Sequence, residues 1–181
     1  MAAGTQRNIL GPGKMRTFTG KMIDPFDPNP DLISIEDIAH ALSQINRFGG
    51  HTVRPYSVAE HSVLGTVFVS QPSRLAFLLH DAPKAYIGDL IRPLKGRPEF
   101  KFFREVEQRI WRAIALKFGL PTRLPAEVHE VDARLCVTEL RDLLHRNPRH
   151  FDPVSPLPVY IAPHCSNAKE QFLNLFDKLS K

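Results

Sequence analysis

Apolar residues recur every three or four positions through most of the chain, which is the spacing of one face of an α-helix. The first such run consists of Ile35, Ile38, Ala39, Leu42 and Ile45. It predicts a helix over residues 35–46 that ends near Gly49-Gly50. Ser34 and Asp37 have the spacing of a capping box at the start of this helix, although the acidic residue of that motif is normally Glu.

Two further helices are predicted before the middle of the chain. Ser57 and Glu60 match the S-x-x-E capping box and predict a helix that continues to about Val69. The next run consists of Leu75, Ala76, Phe77, Leu78 and Leu79. Because this run is apolar on every side, it predicts a helix buried in the centre of a domain. His80 and Asp81 follow at its end, so we expect both to lie deep in the fold.

The second half of the chain is also helical in pattern. Pro83 suits the first turn of a short helix in the segment PKAYIGDLI, and amphipathic helices are predicted over residues 100–118 and 125–145. Prolines make residues 147–163 an irregular loop, after which Ser166 begins a last helix. Apart from an extended stretch expected over residues 17–24, strand signals are weak. The predicted fold class is all-α.

The composition fits one globular domain, with 181 residues of which 43% are hydrophobic and 24% charged. We expect a flexible segment over residues 1–14 and a single domain over residues 15–181. No stretch approaches the roughly 18 to 20 apolar residues of a membrane span, and the N-terminus lacks the apolar centre of a signal peptide. The predicted location is the cytoplasm. Cys136 and Cys165 are too few for a disulfide framework or a zinc module and are interpreted as reduced thiols.

The net charge of +5 favours an anionic partner. Basic residues are concentrated in the segment RPLKGRPEFKFFR, at Arg92, Lys95, Arg97, Lys101 and Arg104. This segment is interpretable either as a solvated surface or as a phosphate-binding site. One alternative function for the whole chain is therefore a non-catalytic, basic nucleic-acid-binding helical protein, although no recognition motif accompanies the charge.

The candidate metal ligands are His61, His80, Asp81 and Asp132. Imidazole nitrogens and carboxylate oxygens are suitable donors for a divalent ion. The helix face that carries Asp132 also carries Val128, Leu135, Cys136, Glu139 and Leu143. A carboxylate on such a face is costly to bury alone, and either a metal ion or a salt bridge to Arg47 or Arg134 would offset that cost. Taken alone, His61 is better interpreted as a hydrogen-bonded core histidine. Jointly, the four residues favour a catalytic metal site.

The segments SVAEHS, LLHDAPKAYIGD, RPLK and EVDARLCVTELRDL present these residues in the order His, His-Asp, Asp. In this order they resemble the HD-domain phosphohydrolases, in particular the small 5'-deoxynucleotidases and the phage-type deoxynucleoside triphosphate (dATP) triphosphohydrolases. The resemblance covers roughly residues 17–144 and includes INRFGGH, which is similar to the Arg-aromatic step before the first metal histidine of those enzymes. It implies a compact helical bundle that cleaves the 5'-phosphoester of a 2'-deoxynucleotide, either a dNTP or a dNMP, and releases the deoxynucleoside.

The resemblance also implies roles for individual residues. His61, His80, Asp81 and Asp132 would hold one divalent transition metal (Co, Mn, Zn, Ni or Fe), and Mg would accompany a triphosphate substrate. Asp89 would orient or deprotonate a water whose pKa the metal lowers. The substrate-binding residues would be Arg47, Phe48, Pro93 and Lys95. Core packing is an alternative role for Phe48.

Lys84 departs from the 5'-deoxynucleotidase pattern, which usually has a glutamate four residues after the metal histidine. As a catalytic candidate, Lys84 would bind phosphate oxygens as a cation, or it would leave Asp89 as the carboxylate nearest the nucleophile. Loss of activity is a third possibility. The extra cations Lys84, Arg92, Lys95 and Arg97 suit the longer, more negative tail of a triphosphate.

The partner implied is a small-molecule deoxynucleotide, with no membrane and no stable nucleic-acid complex, and the resemblance favours a homo-oligomer. A dinuclear-iron HD-type oxygenase is the alternative enzyme class. It would need additional histidines near the site, and His51 and His129 are the candidates in the sequence.

Overall fold

Helices make up the frame of the protein, as the all-α prediction requires. The computed structural model describes residues 13–144, 154–161 and 167–181. The α-helices in these ranges are α1 (Ile35–Gln44), α2 (Val58–Gly65), α3 (Arg74–Leu79), α4 (Lys84–Ile87), α5 (Arg92–Lys95), α6 (Lys101–Phe118), α7 (Ala126–Leu143) and α8 (Ala168–Leu179). A two-stranded antiparallel hairpin of β1 (Met15–Arg16) and β2 (Met22–Ile23) precedes them.

The first helix is shorter than its apolar pattern predicts. α1 ends at Gln44 because Ile45 and Asn46 turn into extended backbone and pair with the segment before α2. Val58 N donates to Ile45 O at 2.9 Å, and Arg47 N donates to Tyr56 O at 2.9 Å. This pairing brings the segment of residues 46–48 beside the start of α2, which carries His61.

The predicted capping boxes have different outcomes. Ser57 and Glu60 form a complete capping box at the start of α2, as predicted. The prediction for Ser34 and Asp37 is wrong, because Ser34 makes no side-chain capping bond. The Asp37 carboxylate instead accepts hydrogen bonds from Thr19 N at 2.7 Å and Thr19 Oγ1 at 2.9 Å, and so ties the hairpin to α1.

The α-helix α2 ends at Gly65, short of the predicted end at Val69, and a 3-10 turn follows over Thr66–Phe68. Gly65 packs directly against the buried ring of Phe77 in α3: a Cβ atom on residue 65 would lie 2.0 Å from Phe77 Cε1. The lack of a side chain at residue 65 therefore sets how closely α2 and α3 approach, and these two helices carry the two histidines.

Two apolar clusters form the core. The larger one joins α1, α2, α3, α4, α6 and α8 through residues such as Leu42, Leu78, Ile110 and Phe172, all 0% exposed. The smaller one joins Phe77 of α3 to Val128 and Leu135 of α7. Phe77 packs in the smaller cluster, whereas its neighbour Leu78 packs in the larger one. α3 is therefore buried on both sides, as its sequence predicts. His80 follows at the end of this helix.

Several sequence predictions lie partly or wholly outside the described residues. These are most of the flexible segment 1–14, the end of the 125–145 helix beyond Leu144, the thiol of Cys165 and the start of the last helix at Ser166. The described residues 154–161 form no helix or strand, as the proline content predicts. Within the described ranges, no helix has both the length and the apolar character that crossing a membrane requires.

Candidate metal centre

Three helical segments bring the four candidate ligands together. His61 lies in α2 and is fully buried, His80 caps the end of α3, Asp81 follows it, and Asp132 lies in α7. One donor atom from each of His61, His80 and Asp81 lies within 4.8 Å of the others. Asp132 Oδ1 lies 3.2 Å from His61 Nε2 and 3.8 Å from His80 Nε2. Asp81 Oδ2 lies 3.9 and 3.6 Å from the same two nitrogens.

The Nδ1 atom of each imidazole is hydrogen-bonded to a group that fixes the tautomer of the ring. His61 Nδ1 lies 2.6 Å from Glu139 Oε1, and His80 Nδ1 lies 2.6 Å from the carbonyl oxygen of Phe77. Both partners are acceptors, so each Nδ1 carries the proton. In a neutral ring the lone pair then resides on Nε2.

The Nε2 atoms of His61 and His80 are both buried, and neither makes a well-aligned hydrogen bond to a described residue, although carboxylate oxygens of Asp81 and Asp132 lie 3.2 to 3.9 Å away. Buried polar atoms are normally satisfied, so this arrangement suits a cation bound between the two nitrogens and the two carboxylates. Ligands bound at about 2.1 Å to one ion, in tetrahedral or octahedral arrangement, lie about 3.0 to 3.4 Å from each other. The observed separations of 3.2 to 3.9 Å are therefore close to those of a loaded site. The residues fit a divalent ion.

Charge in the cluster is matched to a cation. Burial opposes ionisation of Asp81, but Lys84 and the two histidines outweigh it and hold the pKa of Asp81 well below its usual range. Burial also favours neutral His80, but Asp81 and Asp132 raise the pKa of this imidazole. A metal ion bound here would therefore compete with protons for the same nitrogens.

Glu139 is a site residue that the sequence prediction missed. Its carboxylate is 0% exposed and bonds His61 with Oε1, while Oε2 accepts from Arg47 Nε at 3.0 Å. Burial opposes ionisation of Glu139, but Arg47 and His61 outweigh it and lower its pKa. The signal was present in the sequence: Glu139 lies on the same apolar face as Asp132, two turns further along α7.

Arg47 lies in the site, as predicted, and it is largely buried. Its Nη1 is 3.5 Å from Asp81 Oδ2, and its Nη2 is 2.8 Å from Glu139 Oε2. Phe48 is half-buried in a left-handed conformation with φ of 55°, and the Arg47 guanidinium lies 5.3 Å from its ring centre. Phe48 is thus linked to the cluster through Arg47.

Lys84 and Asp89 form one ion-paired unit with Asp81. Lys84 Nζ lies 2.9 Å from Asp81 Oδ2 and 2.8 Å from Asp89 Oδ1, and the three side chains are 11 to 14% exposed. The single positive charge of the lysine therefore offsets part of the negative charge of the two carboxylates on either side of it. This geometry indicates a role that the sequence analysis did not consider, namely a lysine that holds Asp89 in place.

Of the remaining predicted residues, Lys95 lines a cleft beside the cluster and Pro93 does not. Lys95 Nζ pairs with Glu107 at 2.6 Å and is one-third exposed, and Pro93 is exposed in the first turn of α5. Asp132 does not pair with Arg47 or Arg134, the partners considered from sequence. Its Oδ2 accepts instead from Arg92 Nη2 at 3.2 Å. Within the described ranges, neither His51 nor His129 belongs to the metal-binding group of donors.

Comparison with known proteins finds two relatives that match the chain over more than half of its length. An uncharacterized protein of Rhodobacter capsulatus is 42% identical over 122 residues, which is 62% of each chain. The uncharacterized protein YfdR of Escherichia coli is 41% identical over 130 residues, which is 71% of each chain. The chain belongs to the family of YfdR. The matched part spans under two-thirds of the Rhodobacter relative. No protein-family model matches the chain.

Proposed function

We propose that this protein is a divalent-metal-dependent phosphohydrolase of the HD type that cleaves the 5'-phosphoester of 2'-deoxynucleotides. The observation that carries the proposal is the convergence of the buried Nε2 atoms of His61 and His80 on the carboxylates of Asp81 and Asp132, without a well-aligned hydrogen bond for either nitrogen. Two imidazoles and two carboxylates compensate the charge of a divalent ion and leave coordination positions for water and substrate. A bound ion of this kind supplies Lewis-acid activation of water and of a phosphoryl oxygen.

Asp89 is the group that would handle the proton of the attacking water. Its side chain is 13% exposed, so water can approach it, and Lys84 Nζ holds it in place by direct contact at 2.8 Å. A carboxylate held in this position accepts a hydrogen bond from the nucleophile. The new bond joins the water oxygen to phosphorus, the ester bond to O5' breaks, and the leaving deoxynucleoside oxygen takes up a proton.

Arg47 would contribute positive charge beside the reacting phosphate. Its guanidinium is held by Glu139 and lies near Asp81, so its position relative to the ligands is fixed before substrate binds. Pre-positioned cations of this kind stabilise the charge that develops on phosphoryl oxygens. Phe48, next in the chain, is then placed to pack on the sugar or base.

The test is a panel of dNMPs, dNTPs and their ribonucleotide counterparts, assayed with Mn, Co, Ni, Fe, Zn and Mg, with products separated by chromatography. The proposal expects turnover that requires a transition metal, prefers the deoxyribose form and releases a deoxynucleoside. Metal content is measured on the same samples. A protein that binds about one metal ion per chain and hydrolyses none of these nucleotides contradicts the proposed reaction.

The same preparation tests the oligomeric state and the nucleic-acid-binding alternative. Self-association in the cytoplasm is part of the proposal, and light scattering of the purified chain checks the oligomeric state. Salt-sensitive DNA binding that persists in His80→Ala would favour the nucleic-acid-binding alternative over the hydrolase.

A further inference from the structure

A cleft of about 470 Å³ opens beside the candidate metal centre. His80, Asp81 and Asp132 are part of its lining, so the cleft and the cluster of ligands are continuous. The rest of the lining comes from Pro83, α5, α6, α7 and the segment between α6 and α7. Neither Arg47 nor Phe48 is among the described residues that line the cleft. The cleft is therefore distinct from the surface at Phe48, where the sugar or base is proposed to pack.

Most of the charged groups in and beside this cleft are already paired. Lys95, which lines the cleft, pairs with Glu107 at 2.6 Å. Beside the cleft, Arg92 pairs with Asp132 at 3.2 Å, and Lys84 lies between two carboxylates. These are three of the four cations that the sequence suggested for a triphosphate tail. Their positive charge is therefore already neutralised by neighbouring acids.

Arg112 and Arg123 supply the uncompensated charge. Both are exposed and line the cleft, and no ion pair of either guanidinium occurs within the part of the chain that the structure describes. Guanidinium groups bind phosphate oxygens through two parallel N–H donors, which makes Arg suited to anionic phosphate groups. The cleft thus presents two guanidinium groups without ion pairs next to a site suited to phosphoryl chemistry.

The two arginines are mounted on a fixed base. Arg112 follows Trp111 in α6, and the Trp111 indole Nε1 donates to the carbonyl oxygen of Thr122 at 2.9 Å. This bond holds the segment that carries Arg123 against α6, and Trp111 is only 8% exposed. Gly119 ends α6 in a left-handed conformation, which starts the turn toward Arg123. Because the base is formed in advance, binding costs less ordering of the backbone.

We infer that this cleft binds the polyphosphate tail of a deoxynucleoside triphosphate, with Arg112 and Arg123 contacting the phosphates beyond the scissile ester. The inference rests on the proposed function and makes it more specific: the preferred substrate is a triphosphate, and the tail leaves as tripolyphosphate. The α-phosphate then lies at the cluster of ligands, while the outer phosphates occupy the cleft.

Direct binding of tripolyphosphate tests the cleft without reference to catalysis. Calorimetry is performed on the full chain with tripolyphosphate in excess Mg²⁺, for the unmodified protein, Arg112→Gln, Arg123→Gln and Lys117→Gln. Lys117 is exposed in the last turn of the same helix and does not line the cleft, so it matches the loss of one charge. We expect each arginine variant to bind about tenfold more weakly and Lys117→Gln to bind as tightly as the unmodified protein. Absence of binding, or equal affinity in all four proteins, overturns the inference.

Kinetics then separate the cleft from the reaction. The ratio of kcat/KM for dATP to kcat/KM for dAMP is expected to fall about tenfold in each arginine variant, mainly through KM for dATP, and to stay constant in Lys117→Gln. Hydrolysis of dAMP with an unaltered ratio in the arginine variants overturns the inference and leaves the proposed function standing. Arginine-dependent tripolyphosphate binding without any hydrolysis supports the cleft and contradicts the proposed function.

Discussion

Glu139 Oε1 lies 2.6 Å from His61 Nδ1, and both residues are completely buried. The other oxygen of the same carboxylate accepts from Arg47, so one glutamate orients a candidate ligand and a candidate phosphate-binding group together. A carboxylate that accepts from the outer nitrogen of a histidine fixes the ring and makes its inner nitrogen a better metal donor. Glu139 thus positions both His61, a candidate metal ligand, and Arg47, a candidate phosphate-binding group.

Replacing Glu139 with Gln is expected to weaken metal binding about 10- to 100-fold. When the amide oxygen of Gln accepts from His61, its NH2 group faces the donors of Arg47, and the amide supplies no negative charge to Arg47. Since one partner of a buried ion pair is lost, we also expect the free energy of unfolding to fall by about 3 kcal/mol. Metal affinity is measured by competition with a chromophoric chelator, and stability by urea unfolding.

The matched control for this variant is Glu130→Gln. Glu130 lies on the same helix with a side chain 69% exposed, and its contact with Arg134 is 3.9 Å long. Both measurements should be unaffected there, because such exposed pairs contribute little. Metal affinity unchanged in Glu139→Gln would show that this carboxylate does not position His61.

Asp81→Ala and Asp89→Ala are expected to differ in metal content. Asp81→Ala removes an oxygen that lies within 4 Å of both His61 and His80, so metal content and turnover should be lost together. Asp89→Ala leaves the four donors in place and should keep the metal while turnover falls about 10²- to 10⁴-fold. Metal analysis and turnover are measured on the same folded samples. Full metal content and full activity in Asp81→Ala would remove the basis of the ligand assignment.

Acid should destabilise the protein in part through Asp142. This carboxylate is 3% exposed, accepts from Arg141 Nε at 2.6 Å and accepts from the backbone N–H of Ile161 at 3.0 Å. Burial opposes its ionisation, but these donors lower its pKa. Because the folded pKa lies below the unfolded value of about 3.9, the ionised group stabilises the fold above that pH. That stabilisation is lost as pH falls through the folded pKa.

The comparison of the unmodified protein with Asp142→Asn tests this pH dependence. At pH 7 the variant should be less stable by about 1.5 to 3 kcal/mol, the usual contribution of a hydrogen bond to a charged group. The difference should shrink as pH falls below 4, as measured by urea unfolding across the pH range. Asp177→Asn, an exposed change in α8, serves as control. A difference independent of pH would indicate that Asp142 acts through shape alone.

Gly65→Ala should destabilise the protein by about 1 to 3 kcal/mol, because the new methyl group would overlap Phe77. The Phe77 ring centre lies 4.6 Å from that of His80 and 6.0 Å from that of His61. Displacement of this ring should therefore also weaken metal binding. Thermal unfolding and chelator competition measure the two effects.

Gly96→Ala is the control for this steric effect. Gly96 is exposed, has φ of −74°, and a Cβ there would lie 3.4 Å from the nearest atom, Arg92 O. We expect its stability to change by less than about 1 kcal/mol. Equal stability of the two alanine variants would show that the contact between α2 and α3 adapts to a larger residue.

Local sequence determined most of the helical frame. The predicted helix over residues 100–118 is found as Lys101–Phe118, and the Ser57–Glu60 capping box starts α2 as expected. These features depend on groups three or four residues apart, so periodicity and short-range hydrogen bonding suffice to predict them. The predicted end of α1 is wrong by two residues, because Ile45 and Arg47 bond to Val58 and Tyr56 instead of continuing the helix.

For the site, the sequence determined which side chains face inward: His80 and Asp81 follow a wholly apolar helix, and Asp132 and Glu139 share an apolar face. Only the tertiary structure decided how these groups pair. Arg47 and Glu139 are 92 positions apart, and Arg92 and Asp132 are 40 apart. Helical periodicity fixes the face of a residue but not its opposite neighbour, which depends on how α2, α3, α5 and α7 pack. That packing left Arg112 and Arg123 as the uncompensated cations of the cleft.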